Sequence, residues 1–330
     1  MVWLKGAIAR IKASGAKKVL VQAPEGLKTQ LQGIGSALEK AGIEAVLSCE
    51  PCYGACDLRD AEAKRLGCDL LLHIGHAQLG QTAAKPSLPV IYEEYPMEAD
   101  PSKALNEGMD ALGAYRRIGL VTTVQYIYLL DSAKKLLESK GKLVFIGKGP
   151  GRAKSNPLAG PESIAKGRAK HPGQVLGCDH GAAKAVEDRV DAFIFMGTGR
   201  FHALGLAAAV SKPVLFLDLE SGSLTDMKAD SDRQARIRFA SIEKAKNCNA
   251  FGVIISTKPG QSVLKLAEDV KRKLESKGRN AWILAMDNIS PDKLMGLKLD
   301  CLVNCACPRL SEDAAQFRKP IINPEEIDKL

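Results

Sequence analysis

Cys56-Asp-Leu-Arg-Asp-Ala-Glu-Ala-Lys-Arg-Leu-Gly-Cys-Asp-Leu-Leu-Leu-His-Ile-Gly-His76 decides how the chain folds. A Cys-Asp pair opens it, a helix-length polar stretch follows, and Asp69, thirteen residues after Cys56, starts an apolar run. The pattern returns at Cys178-Asp179, with Val190-Asp191-Ala-Phe-Ile-Phe-Met-Gly-Thr198 at the same spacing. A third copy runs Leu299-Asp300-Cys-Leu-Val-Asn-Cys-Ala-Cys307. His76, Thr198 and Cys307 all stand seven residues after their aspartates. Spacing repeated in this way marks homologous units.

Working outward, each unit has the same flanks. The first strands are Lys18-Val-Leu-Val-Gln22, Ile118-Gly-Leu-Val-Thr-Thr-Val-Gln125 and Phe251-Gly-Val-Ile-Ile-Ser-Thr-Lys-Pro-Gly-Gln261. An amphipathic helix follows each and stops at Gly42, Gly141 or Gly278, as a left-handed C-cap requires. Second strands are expected at 45–48, 143–146 and 281–284, and last strands at Leu88-Pro-Val-Ile-Tyr92, Lys212-Pro-Val-Leu-Phe216 and Lys319-Pro-Ile-Ile-Asn323. Strands alternating with helices predict three homologous parallel-sheet α/β domains arranged around a pseudo-threefold axis. The expected bounds are 1–112, 113–246 and 247–330, with linkers near 97–114 and 221–248.

A chain of 330 residues suits two or three domains. No apolar stretch approaches the ~20 residues of a membrane span. The N-terminal stretch to Leu20 reads as an amphipathic helix leading into a strand, not as a signal peptide, so a cytoplasmic protein is expected. The nine cysteines are then reduced: buried apolar residues, metal ligands or nucleophiles. The net charge of +9 is scattered over helical faces with no run of five basic residues, which predicts a solvated surface and no direct nucleic-acid partner.

In open parallel sheets, ligands bind beyond the carboxyl ends of the strands. Cys56 and Cys178 are expected just after the second strand of their units, and Cys307 at the end of the third strand of its unit. If those edges face inward, one thiolate per unit converges on a centre. Three thiolates suit a [4Fe-4S] cluster with one open iron, and equally a zinc ion with a water. Cys301 and Cys305 rival Cys307, because strand alternation puts all three on one face. Cys49, Cys52, Cys68 and Cys248 read as structural. The local C-x2-C-x3-C run of Cys49, Cys52 and Cys56 is not taken as a knuckle, because only Cys56 recurs.

Tyr53-Gly-Ala-Cys-Asp57, Thr122-Thr-Val-Gln125, Gly199-Arg-Phe-His202, Ser256-Thr-Lys-Pro-Gly-Gln261 and Asn304-Cys-Ala-Cys-Pro-Arg309, followed by Lys319-Pro and Asn323-Pro-Glu325, together resemble the archaeal 2-(3-amino-3-carboxypropyl)histidine synthases. These enzymes perform the first step of diphthamide synthesis. The resemblance runs through all three units. It implies that Cys56, Cys178 and Cys307 bind a [4Fe-4S] cluster. It also implies that S-adenosyl-L-methionine is the co-substrate, and that its 3-amino-3-carboxypropyl group goes as a radical to C2 of a histidine imidazole on translation elongation factor 2. A homodimer and a separate electron donor are implied too. Glu25, Gly26, Thr123, Gln125, Gly199, Arg200, Thr257 and Gln261 are then candidate S-adenosylmethionine contacts; ordinary turn chemistry is the competing explanation. Arg200 would clamp a carboxylate or pair with a surface acid. His180 and His202 would move protons or serve as hydrogen-bonded loop residues.

Two departures stand out. His76-Ala-Gln78 lies where such sequences carry His-Ser-Cys, and Arg59 replaces an acidic residue, in what is expected to be a solvated turn. Two alternatives remain: a quinolinate synthase-like iron–sulfur dehydratase, and a non-enzymatic iron–sulfur or zinc protein.

Overall fold

The computed structural model describes residues 2–79, 85–148, 169–261, 263–311 and 314–330. The first unit holds α1 (Val2–Ser14), β1 (Lys18–Gln22), α2 (Leu31–Lys40), β2 (Glu44–Leu47), α3 (Asp60–Arg65), β3 (Leu70–Ile74) and β4 (Val90–Glu93). The second holds α4 (Ser102–Glu107), β5 (Arg117–Thr122), α5 (Leu130–Ser139), β6 (Leu143–Phe145), α6 (Gly181–Lys184), β7 (Ala192–Gly197), α7 (Phe201–Ala209), β8 (Val214–Asp218) and β9 (Ser223–Asp226). After α8 (Lys228–Ala245) come β10 (Ala250–Ser256), α9 (Leu264–Ser276), β11 (Asn280–Met286), β12 (Cys301–Asn304) and β13 (Ile321–Ile322).

Among the described residues the strands form three sheets, in the orders β2-β1-β3-β4, β6-β5-β7-β8-β9 and β11-β10-β12-β13. Every pairing is parallel except β8 with β9, which is antiparallel. The common order places the first strand between the second and third, and its consecutive residues, which point to opposite faces, are buried along it. Its sequence is accordingly apolar almost throughout, as in Val19, Leu20 and Val21 or Val253 and Ile254. Gly42, Gly141 and Gly278 have φ of +81°, +80° and +74°, the left-handed caps that the sequence required.

The repeated aspartate has a structural cause. Asp69 accepts the backbone N–H groups of Lys17 (2.8 Å) and Lys18 (2.9 Å) at the start of β1. Asp191 accepts those of Arg116 (3.1 Å) and Arg117 (2.7 Å), and Asp300 those of Asn249 (3.0 Å) and Ala250 (2.9 Å). Each carboxylate joins the entry to the third strand to the entry to the first, fixing the parallel register at the amino edge.

Some expectations change in detail. Each of the first two βα connections opens with a 3-10 turn, Glu25–Gln30 or Val124–Leu129, before its α-helix begins. The stretch near 221–248 is not merely a linker: it carries β9 and the 18-residue α8. Ile242 and Ala245 of α8 are buried in the third unit's core, and Arg238 pairs with Glu325 and Glu326. The stretch near 97–114 carries α4. No helix among the described residues is long and apolar enough to cross a membrane.

The Arg117 side chain first, and backbone N–H groups second, hold Asp191 at about 2, below its ordinary 3.8. A depressed folded-state value means that its stabilisation is complete above 3.8, shrinks as pH falls, and is gone below about 2. Asp191→Asn is therefore expected to flatten the fall in urea midpoint across that window. A pH profile identical to that of the unsubstituted chain would contradict the role given to the carboxylate.

Candidate metal centre at the carboxyl edges

Buried polar side chains pin the backbone around all three repeat cysteines. Gln22, at the carboxyl end of β1 and fully buried, donates from Nε2 to the carbonyl of Asp57 at 2.6 Å. In the second unit, residues 173–175 run beside the end of β5, where Val175 N–H donates to the Thr122 carbonyl at 2.9 Å. Asp179 then accepts from Gly181 N–H (2.8 Å) and Ala169 N–H (2.9 Å), fixing the turn that follows Cys178. In the third, Cys305 N–H donates to Ile254 at the end of β10, and buried Asn304 donates from Nδ2 to the carbonyl of Cys307, both at 2.9 Å. Each cysteine thus lies by the carboxyl end of its unit's first strand. Two expected positions are corrected. Cys178 stands far beyond β6 along the chain, and Cys307 lies past the end of β12 rather than on it.

Exposure separates the nine cysteines. Cys56, Cys178 and Cys307 are partly exposed, Cys49 is exposed, and the other five are buried. Cys301 and Cys305 are fully buried in the third core. Burial raises the Cys301 thiol, and pushes that of Cys305 up to about 12, so both favour the neutral thiol. The strand ends at Asn304, which releases Cys307 from the inward alternation that holds the other two.

The first and third units meet at Cys56. Gly260 N–H donates to the Cys56 carbonyl at 2.9 Å, and Gln261 Nε2 donates to Cys56 Sγ at 3.2 Å. A Cβ on Gly260 would stand 2.5 Å from Cys56 Cα and 2.6 Å from its Cβ, so only glycine permits the approach. Beside it, Lys258 Nζ bonds Asp57 Oδ2 at 2.5 Å, with both side chains almost wholly buried. Lys258 Nζ also lies 4.6 Å from the centre of the Tyr53 ring. Arg59 is not in a solvated turn: its side chain is 13% exposed and its Nη1 bonds Asp287 at 2.8 Å, a second tie between the units.

The other candidate contacts divide. Gln125 spans to the first unit, donating from Nε2 to the Gly75 carbonyl at 2.5 Å. Thr123 precedes the 3-10 turn at 124–129, and Thr257, exposed, donates its N–H to Met286. Glu25 pairs with Lys28 and is exposed, as is Gly26. Gly199 has φ +71° and turns the chain into α7; Arg200 pairs with Asp230, the surface acid of the second alternative. His180 is partly exposed, but its Nε2 is buried with no hydrogen-bond partner, and desolvation lowers the ring to about 4. His202 stacks on Phe195, with centroids 6.0 Å apart. The Asp57–Lys258 and Arg59–Asp287 pairs join residues far apart in the sequence. Both Asp57 and Lys258 sit in recognised motifs, but nothing local to either motif shows that they meet.

The family model described as "Putative diphthamide synthesis protein" matches residues 23–330. The chain belongs to this family. It is 36% identical over 325 residues to the 2-(3-amino-3-carboxypropyl)histidine synthase of Pyrococcus horikoshii, covering 98% of this chain and 88% of that protein. It is 32% identical over 324 residues to subunit 1 of the Caenorhabditis elegans synthase, covering 97% of this chain and 77% of that one. The crystal structure of Dph2 from Pyrococcus horikoshii with a 4Fe-4S cluster superposes with a TM-score of 0.86 at 36% identity, covering 98% of this chain and 89% of that one. The α/β fold of this diphthamide-family chain is therefore shared with a solved iron–sulfur protein.

Gly260→Ala should move the Cys56 loop without touching a sheet. Residue-resolved alkylation followed by mass spectrometry is expected to show faster labelling of Cys56, with far-ultraviolet circular dichroism unchanged. Unaltered Cys56 labelling would mean that the close approach does not position it.

Proposed function

We propose that this chain is a 2-(3-amino-3-carboxypropyl)histidine synthase, transferring the 3-amino-3-carboxypropyl group of S-adenosyl-L-methionine to C2 of a histidine imidazole on translation elongation factor 2. The observation that carries the proposal is the set of partly exposed cysteines, Cys56, Cys178 and Cys307. There is one in each unit, and each has its backbone fixed by buried polar groups. Such a set fits a [4Fe-4S] cluster: soft sulfur donors, reachable from outside, on loops that are already rigid. These three residues would hold the cluster about the pseudo-threefold axis, with units divided along the chain near 112/113 and 246/247 and α8, which precedes the second division, packed on the third unit's core. When bound, a cluster with one iron free of protein ligands supplies a site for the methionine end of S-adenosylmethionine and the electron that cleaves its sulfur–carbon bond.

The chain's own residues supply position. Gly260 N–H holds the Cys56 carbonyl, and the Gln261 amide donates toward Cys56 Sγ, where it would disperse thiolate charge. The Lys258–Asp57 pair, almost wholly buried, keeps the two loops together. Gln125, joined to Gly75, does the same between the first and second units. Thr123, Thr257 and Gly199 lie in loops that follow first or third strands and so border the same edge; with Glu25 and Gly26 they are proposed co-substrate contacts, and Arg200 would join them only by leaving Asp230. A homodimer, a separate electron donor and a cytoplasmic setting complete the proposal.

Anaerobically reconstituted, reduced protein is expected to add an aminocarboxypropyl group to archaeal elongation factor 2, detected by mass spectrometry. Cys56→Ala, Cys178→Ala and Cys307→Ala should each abolish the adduct, while Cys301→Ala and Cys305→Ala keep the cluster. Intact S-adenosylmethionine after incubation with a fully assembled cluster would refute the proposal and favour a quinolinate synthase-like dehydratase. Gln261→Leu should lower the cluster's reduction potential, because a hydrogen bond to sulfur is lost. A potential equal to that of the unsubstituted chain, measured by electron paramagnetic resonance titration, would remove Gln261 from that role.

A further inference from the structure

Beneath the Cys56 loop, on the far side of Gln22, lies a second group of soft ligand atoms. Cys52, His73 and His76 each offer one ligand atom, and these all lie within 4.8 Å of one another. They come from two segments: Cys52 from the loop after β2, and the histidines from the end of β3 and the turn beyond it. Cys52 is 3% exposed and His73 is fully buried. The three serve no role in the function proposed above.

The hydrogen-bond network fixes the tautomer of His73. Gln22 Nε2 donates to Asp57, so its Oε1 faces His73 Nδ1 at 3.1 Å and can only accept. Nδ1 therefore carries the proton, and Nε2 presents a lone pair. Metal-bound histidines are typically held in this way, through the ring nitrogen that does not ligate. His73 Nε2 stands 3.0 Å from His76 Nδ1. Two nitrogens on a tetrahedral zinc, each about 2.0–2.1 Å from it, are about 3.3–3.4 Å apart. Opening this pair by a few tenths of an ångström would let both nitrogens reach one ion, with Cys52 Sγ drawn in from within 4.8 Å.

We propose that Cys52, His73 and His76 form a metal site for one divalent ion of the zinc class, with the fourth position taken by water. One thiolate and two imidazoles suit zinc; magnesium and calcium require oxygen ligands, which this set lacks. On binding, the Cys52 thiol releases its proton to solvent and its sulfur bonds the ion. His76 shifts its proton from Nδ1 to Nε2, so no oxidant or reductant is needed. The ion clamps the Cys52 loop to β3 and, through Gln22, stiffens the carbonyl next to Cys56. The site stands independently of the role assigned to Cys56.

The test uses the full-length chain carrying Cys56→Ala, Cys178→Ala and Cys307→Ala, so that those three thiolates contribute nothing. Anaerobic titration with Co2+ is expected to give thiolate-to-cobalt charge transfer and tetrahedral visible bands that saturate at one equivalent and are displaced by Zn2+. Adding Cys52→Ser or, separately, His76→Gln should abolish the bands with circular dichroism unchanged. Zinc-edge X-ray absorption on the triple variant, which needs no further substitution, should give a shell of one sulfur and two imidazoles. Absent bands, bands that survive both additional substitutions, or a shell with two or more sulfurs would overturn the proposal.

Discussion

The arrangement at the first and third units depends on a lysine and an aspartate that meet across 201 positions of sequence. Lys258 Nζ and Asp57 Oδ2 are 2.5 Å apart, and their side chains are 4% and 1% exposed. Removing two charges from water costs several kcal/mol per ion, and their attraction offsets this only when geometry and further contacts are good. Here the Tyr53 ring faces the ammonium, and Arg59 lies 3.7 Å from the second Asp57 oxygen. A hydrophobic pair could fill the same space at similar stability. What the ions add is registry, because a charge left alone in that interior is strongly unfavourable. The Cys56 loop is therefore tied to the Lys258–Gln261 loop.

Much of the fold was legible because the same solution is written three times. The recurring aspartate follows from one structural element: a carboxylate that caps the entry of the first strand. Asp69, Asp191 and Asp300 perform that task with nearly the same distances. The helix-ending glycines were legible for the same reason, since a left-handed residue at a C-cap leaves a local signature. The helix α8 was harder to place. Its polar sequence resembles a connection, and only contacts from Ile242, Ala245 and Arg238 show that it serves the third unit.

The site was legible in part. Repetition picked out Cys56 and Cys178, but alternation could not separate Cys301, Cys305 and Cys307. Their separation comes from where β12 stops, a boundary set by Asn304 turning its side chain back onto the following loop. Arg59 looked like a surface substitution, because its partner Asp287 is distant in sequence. The Cys52–His73–His76 group was hidden for a similar reason: sequence placed Cys52 beside Cys49 and Cys56, whereas folding sets it against β3. Local motifs report local chemistry, and contacts between units do not repeat.

The most direct measurement is a double-mutant cycle on the inter-unit pair, using urea unfolding of the full chain with Lys258→Met, Asp57→Leu and both together. Each single substitution strands a buried charge and is expected to cost about 3–5 kcal/mol. The double substitution should recover most of that loss, giving a large coupling energy. Single losses below about 1 kcal/mol that simply add would match an exposed pair instead, and would contradict the ion pair as the tie that sets Cys56 against the third unit.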